Sequence, residues 1–241
     1  MYGIINITVP INVKNTMLDT LLSTLAPHYC YGCGLIGSAL CPNCINNIIN
    51  EPFTVCFNCG KTLPCTTQLA CQNTISASWC VGAREGLLRL CIDEYKFESV
   101  RAIASSLAEL LNQRIPLLPS SVVVTNIPTA SNHIRARSFD HAALLARCFA
   151  KRRGLIHQNL LERRHNLSQR AAVSREERAS RAASAFCVTS NVEGLTILLL
   201  DDIVTTGSSV RAAAQILKAA GAQEVYVAAV AYSPLLSHKE P

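Results

Sequence analysis

Hydrophobic positions change their period along the chain. Residues 4–13 alternate as in a short strand, and residues 17–25 repeat at helical spacing before Pro27 stops them. Residues 27 to about 73 show no sustained period. From Ser76 onward, two kinds of apolar run take turns. Residues 84–97, 100–114 and 139–153 carry three- and four-residue spacing and predict helices, as do 174–183 and 210–220, the last closed by Gly221. Residues 121–127 (SVVVTNI), 196–200 and 224–231 are compact and β-branched or wholly apolar, which predicts strands buried on both faces. Strands separated by helices predict an α/β fold, a parallel sheet flanked by helices.

The 241 residues divide by texture into a segment 1–26 with a short helix, a cysteine-rich module 27–75 and a larger α/β domain 76–241. With 49% hydrophobic and 16% charged residues and a mean hydropathy of +0.24, the composition excludes disorder. No apolar run reaches the ~18–20 residues that cross a bilayer, and no basic start precedes an apolar stretch. The expectation is a soluble, cytoplasmic protein with no membrane insertion. Only 5% of residues are aromatic, which argues against a stacking platform for nucleic acid.

Of the 12 cysteines, eight lie between positions 30 and 71, as the pairs Cys30/Cys33, Cys41/Cys44 and Cys56/Cys59, followed by Cys65 and Cys71. Each C-x-x-C turn aims two thiolates at one ion, and tetrahedral zinc needs two such turns. Disulfides are the competing chemistry, disfavoured in a reducing compartment. One site is expected from Cys30, Cys33, Cys41 and Cys44, and a second from Cys56, Cys59, Cys65 and Cys71. An interleaved pairing stays open, so the count is one or two Zn²⁺. The module is too short to bury a real core, and metal must supply its folding energy, on the order of ~10–16 kcal/mol per site. Cys80, Cys91, Cys148 and Cys187 stand singly in apolar surroundings and read as small core residues.

The net charge of +6 is unevenly placed: residues 135–181 hold twelve Lys and Arg against four Asp and Glu. Such a block favours an anionic partner, a phosphorylated small molecule or a nucleic-acid backbone. The segment 196–210 reads TILLLDDIVTTGSSV. An apolar strand buried on both faces shows its first charges where it leaves the sheet, so Asp201 and Asp202 belong at the carboxyl edge, where open α/β sheets bind ligands. The small residues Thr205, Thr206, Gly207, Ser208 and Ser209 follow and open a helix. A backbone without bulky side chains can turn successive amides toward one anion, reinforced by the helix dipole. Helix capping alone leaves the two acids unexplained. A nucleotide-binding P-loop is excluded, since G-x-x-x-x-G-K-[ST] occurs nowhere.

The stretch LLLDDIVTTGSS resembles the signature of type I phosphoribosyltransferases. With the cysteine module before it, the chain is similar over most of its length, from about Ile11 to Tyr232, to the ComF family of competence-associated phosphoribosyltransferase-like proteins. That resemblance implies a type I phosphoribosyltransferase fold with a small N-terminal zinc-ribbon domain. It also implies binding of 5-phosphoribosyl-1-pyrophosphate with Mg²⁺ and a role in DNA uptake. Carried over residue by residue, Asp201 and Asp202 would hold the ribose hydroxyls and Thr205 to Ser209 the 5-phosphate. Ile127-Pro128-Thr129 resembles the family's pyrophosphate-facing Val-Pro-Leu turn, and Tyr95-Lys96-Phe97 its lysine-aromatic element. The run Arg135-Ala136-Arg137-Ser138-Phe139-Asp140-His141 resembles its arginine element, with Ser138, Asp140 and His141 where the family has Gly, Asn and Gln. Arg135, Arg137 and Lys96 would then stabilise charge building on departing pyrophosphate. The alternative is a non-catalytic competence factor that binds single-stranded DNA or a partner of the uptake machinery through the basic block. His133 and His141, which flank the arginine element, read as partly exposed loop residues.

Overall fold

The computed structural model describes residues 28–51, 53, 56, 74–97, 100–129, 139–164 and 185–233. The strand expected over 4–13 and the helices expected over 17–25 and 174–183 lie outside the described residues. In chain order the elements are α1 (Pro42–Asn50), β1 (Ala77–Ala83), α2 (Gly86–Phe97), α3 (Ile103–Arg114), β2 (Val123–Asn126), α4 (His141–Arg153) and β3 (Ile156–His157). The antiparallel pair β4 (Leu161–Arg163) and β5 (Phe186–Val188) follows, then β6 (Thr196–Val204), α5 (Ser208–Ala219) and β7 (Glu224–Tyr232). The main sheet has the order β1-β7-β6-β2-β3, and every neighbouring pair in it is parallel. Among the described residues no helix is long and apolar enough to cross a membrane.

Strand alternation sorts the core into two layers. Val124, Leu198, Leu200, Ala228 and Val230 face one side, where α1 to α4 cover them. Val123, Ile197, Leu199, Val225, Val227 and Ala229 face the other, against Val210, Ala213, Ala214 and Leu217 of α5. The wholly apolar strands follow from this double burial. Cys30, Ala39, Leu40, Cys41, Cys44, Ile45 and Ile48 of the cysteine segment join the first layer beside Leu107 and Leu111.

Several features depart from the sequence expectations. The strand starting at Thr196 runs to Val204 and not to Leu200, because β7 keeps pairing with it up to Val204↔Tyr232. Helix α1 lies inside the cysteine segment, with Pro42 at its first turn and Ile45, Ile48 and Ile49 packed inward at helical spacing. Cys80 and Cys91 are buried, whereas Cys148 and Cys187 are only half-buried. The basic block is not all available to a partner. Arg153 donates to Asn112 Oδ1 and to the carbonyls of Asn112, Ile115 and Pro116 at 2.5–2.9 Å, closing the end of α3. Arg152 pairs with Glu109 at 2.8 Å, and the Arg163 guanidinium lies over the Phe186 ring.

Arg114, the last residue of α3, donates to the carbonyls of Ile49, Glu51 and Val81 at 2.8–3.2 Å. It ties the carboxyl end of α1 to β1 and takes up helix-terminal acceptors that would otherwise go without donors. Arg114→Met is expected to lose about 2–3 kcal/mol in urea unfolding, because charged hydrogen bonds to partly buried carbonyls disappear. Leu117→Ala, at a side chain 93% exposed, should stay within ~0.5 kcal/mol of the parent; equal losses in the two variants would contradict the anchoring role.

Candidate functional site

Strand β2 stops at Asn126, opposite Leu200, while β6 continues for four residues beside β7 alone. The chain leaves β2 through Ile127, whose amide donates to the Leu200 carbonyl at 2.9 Å, then through buried Pro128 and half-buried Thr129. Thr129 Oγ1 donates to Asp140 Oδ1 at 3.0 Å, and the same oxygen caps α4 by accepting from the Ala143 amide. The turn after β2 is thereby tied to the start of α4, and among the described residues no strand lies beside the projecting end of β6 on that side, which leaves a notch in the order of the sheet. Asp201 and Asp202 are in that end, still within the strand, on its opposite faces.

Asp202 is buried, and its Oδ1 lies 2.8 Å from Lys96 Nζ and accepts from the Ile203 amide at 2.7 Å. Asp201 Oδ1 accepts from the Asp202 amide at 2.9 Å, past the point where β2 pairs with this strand. Burial, and then the neighbouring Asp202 charge, push the Asp201 carboxyl well above the usual carboxylate range, with Lys96 pulling the other way. Two adjacent acids with one cation, seated on Asp202, suit a ligand that brings hydroxyl donors or a divalent cation.

Thr205 to Ser208 turn the chain into α5. Gly207 sits in the left-handed region at φ 70°, a conformation that a β-carbon disfavours. Thr206 Oγ1 donates to Ser208 Oγ at 3.0 Å and accepts from the Ser208 amide at 3.3 Å. No described residue accepts from the amides of Thr205, Thr206 or Gly207, and the first turn of α5 adds its own outward N–H groups. The turn therefore presents donors to an anion.

Behind the notch, Tyr95 is fully buried and donates to the His141 carbonyl at 2.7 Å, joining the end of α2 to the start of α4. His141 is not the partly exposed loop residue that the sequence suggested. It is the first residue of α4, buried, stacked on Phe139 with 4.0 Å between centroids and met edge-on by Tyr95. Arg101 lies over the outer face of Phe139 at 4.7 Å. The structure thus brings Lys96, Asp201, Asp202, Pro128, Thr129 and Thr205 to Ser209 to the carboxyl edge of the sheet. Arg135, Arg137 and His133 lie outside the described residues. Asn126, which sequence reasoning did not single out, ends β2 at this edge, buried, with no described partner for its Oδ1.

The first cysteine cluster forms as expected. The four Sγ atoms of Cys30, Cys33, Cys41 and Cys44 lie within 4.8 Å of one another, and those of Cys33 and Cys41 are 3.6 Å apart. Tetrahedral zinc with Zn–S bonds of ~2.3 Å needs sulfurs about 3.8 Å apart, so these residues fit the ion. The Gly34 amide closes the first turn on the Cys30 carbonyl at 2.8 Å, and the Cys41 amide donates to the Cys30 sulfur at 3.3 Å. Burial alone would raise the Cys30 thiol, but the Cys41, Cys33 and Gly32 amides and the Cys44 thiol hold it at about 6. Cys44 is pushed up to about 12 by burial and by its three neighbouring sulfurs. Of the second set only Cys56 is described, and it is buried; Cys59, Cys65 and Cys71 lie outside the described residues.

Two outcomes are expected. Zinc binding must expel the Cys44 proton while Cys30 is already ionised at pH 7, so affinity in competitive chelator titrations should climb steeply through pH 7–8. A flat profile would exclude a thiolate site. The raised carboxyl of Asp201 means that its ionisation opposes folding: that group's contribution is fully present below the usual carboxylate range and is lost as pH rises through the shifted value. Asp201→Asn should therefore raise Tm at pH 7–8 and leave it unchanged near pH 3.

A profile described as the phosphoribosyl transferase domain matches residues 137–236. The chain is 28% identical over 197 residues to the DNA utilization protein YhgH of Salmonella typhi, covering 74% of this chain and 84% of that one. It is 26% identical over 210 residues to competence protein F of Haemophilus influenzae, covering 79% and 89%. A solved structure of the allosteric regulatory enzyme of purine biosynthesis overlaps 58% of this chain and 30% of its own, at 22% identity and a TM-score of 0.43. The matched domain, the parallel sheet and the cysteine cluster at its amino-terminal side make the chain similar to competence-associated proteins with a phosphoribosyl transferase domain and support the ComF resemblance, with a type I phosphoribosyltransferase fold.

Proposed function

We propose that the carboxyl edge of the sheet binds 5-phosphoribosyl-1-pyrophosphate together with Mg²⁺. The observation that carries this reading is the overrun of β6 past β2, which sets two carboxylates, one on each face of the strand, and a glycine turn with free amides at one end of the sheet. A carboxylate pair recognises a vicinal diol, and Asp201 and Asp202 accept from the ribose hydroxyls. The amides of Thr205, Thr206 and Gly207, with the Ser208 and Ser209 hydroxyls, take the 5-phosphate. Pro128 and Thr129 lie on the opposite wall of the notch and face the pyrophosphate. Mg²⁺, when bound, neutralises the phosphates and makes the leaving group better.

Displacement at the anomeric carbon passes through an oxocarbenium-like state, so the chain's part is electrostatic. Lys96, held on Asp202, keeps positive charge beside the sugar, and Arg135 and Arg137 are assigned to the departing pyrophosphate through bidentate contacts. Such a protein acts in DNA uptake, in keeping with its competence-protein relatives.

A second reading treats the domain as a non-catalytic binder of single-stranded DNA. Lys151, Arg163 and Arg164 are exposed and favour it, whereas Arg152 and Arg153 are engaged within the fold.

Calorimetric titration with phosphoribosyl pyrophosphate and Mg²⁺ is expected to show saturable binding to the parent. Asp201→Asn and Asp202→Asn should each weaken it at least about tenfold, or ~1.4 kcal/mol. Parent-like affinity in both variants would refute the sugar-phosphate assignment. Binding of single-stranded DNA whose affinity falls with salt, together with no sugar-phosphate binding, would favour the second reading.

A further inference from the structure

Helix α2 touches both the cysteine centre and the acidic notch. Leu87, Cys91 and Glu94, at i, i+4 and i+7, form one stripe along it. Gly32, between Cys30 and Cys33, packs so tightly there that a methyl group on it would lie 2.6 Å from Cys44 Sγ and 2.8 Å from Leu87 Cδ2. Tyr31 reaches further along and donates from its hydroxyl to Glu94 Oε2 at 3.3 Å. Cys91, fully buried, shares a core cluster with Cys30. Two residues past Glu94 on the same helix, Lys96 reaches Asp202 at 2.8 Å. At ~1.5 Å per residue, Leu87 and Lys96 are about 13 Å apart along the axis. The cysteine turn thus grips α2 in its first turn and again beside Lys96.

We propose that Tyr31 and Glu94 are positioning residues that transmit metal loading of the four-cysteine centre, through α2, to the Lys96–Asp202 pair, so that zinc and sugar phosphate bind cooperatively. Without an ion, four sulfurs this close are held only by the turn's own hydrogen bonds and packing. The turn carrying Tyr31 and Gly32 then loosens, and α2 loses one of the flanks that hold it, keeping its bond to α4. Lys96 shifts off Asp202 and leaves two adjacent carboxylates without their cation. A rigid helix gripped at one end and delivering a charge at the other is the physical link that such coupling needs. By thermodynamic reciprocity, the ligand must strengthen zinc retention by the factor with which zinc strengthens ligand binding. The cooperative part of the proposal rests on the sugar-phosphate reading; the link from metal to helix does not.

The test uses the full chain with zinc loaded, the same chain after chelation and removal of the chelator, and Tyr31→Phe with its zinc content verified. Backbone hydrogen exchange at residues 86–97 and calorimetry with phosphoribosyl pyrophosphate and Mg²⁺ are measured on each. Zinc removal is expected to speed exchange at 86–97 and to weaken Kd by about 5–50-fold, within the usual range of coupling between sites. Tyr31→Phe should reproduce part of both effects while keeping its zinc, and should add little in the metal-free protein. The ligand should slow transfer of zinc to a colorimetric chelator. A merely structural tyrosine would lower Tm and leave Kd and zinc transfer unmoved. Unchanged exchange at 86–97 in Tyr31→Phe overturns the proposal, as does a Kd indifferent to zinc. If the zinc-loaded parent binds no sugar phosphate, the function reading falls, and the exchange data alone decide the metal-to-helix link. If the metal-free chain unfolds, Tyr31→Phe and ligand-slowed zinc transfer decide it.

Discussion

A parallel sheet covered on both faces has one place to put ionisable groups: the ends of its strands. That constraint organises this molecule. Strand β6 is apolar from Ile197 to Leu200, buried between two helical layers, and polar only where β2 has ended. Had β2 run four residues further, Asp201 and Asp202 would lie inside a closed sheet, and two desolvated carboxylates would be intolerable with a single lysine. The difference in strand length leaves Asp201 half-buried at the sheet's edge and lets Lys96 reach buried Asp202. The raised Asp201 carboxyl is the residual strain of that arrangement.

Much of this was legible in the chain itself. The run LLLDD told where β6 would leave its β2 neighbour because strands buried on both faces must be uniformly apolar, and the acids begin where the pairing with β2 ends. The run TTGSS told the turn, since Gly207 adopts a positive φ that few residues tolerate. The spacing of Cys30, Cys33, Cys41 and Cys44 told a cluster able to hold a metal ion because two short turns suffice to converge four sulfurs. The true end of β6 was not legible, for it depends on continued pairing with β7, a long-range fact. Helix α1 was hidden by the cysteines, although Ile45, Ile48 and Ile49 carry its period. The burial of His141 was also out of reach, because it needs Tyr95 of α2 to close over the first turn of α4, beside the local stack on Phe139.

Lys96 illustrates a role that motif matching assigns only in outline. A lysine beside a phosphate site reads as a phosphate ligand, yet here its ammonium rests on Asp202 with only 15% of the side chain exposed. Its first contact is with that buried side chain, 2.8 Å away. Tyr95, one residue earlier, fixes the backbone from which Lys96 projects by bonding to α4. Side chains that look separate in sequence are thus arranged by one helix end, which also borders the cysteine turn.

The margins of the sheet carry a different consequence. At one side the outermost strand, β3, is only two residues long, so it exposes too few backbone donors and acceptors to template another chain. The seven-residue β1 at the opposite margin is the longer ribbon, but Arg114 already occupies its Val81 carbonyl. Strand addition at that flank would have to displace the same guanidinium that anchors α1, so one side chain both joins two elements and guards an edge.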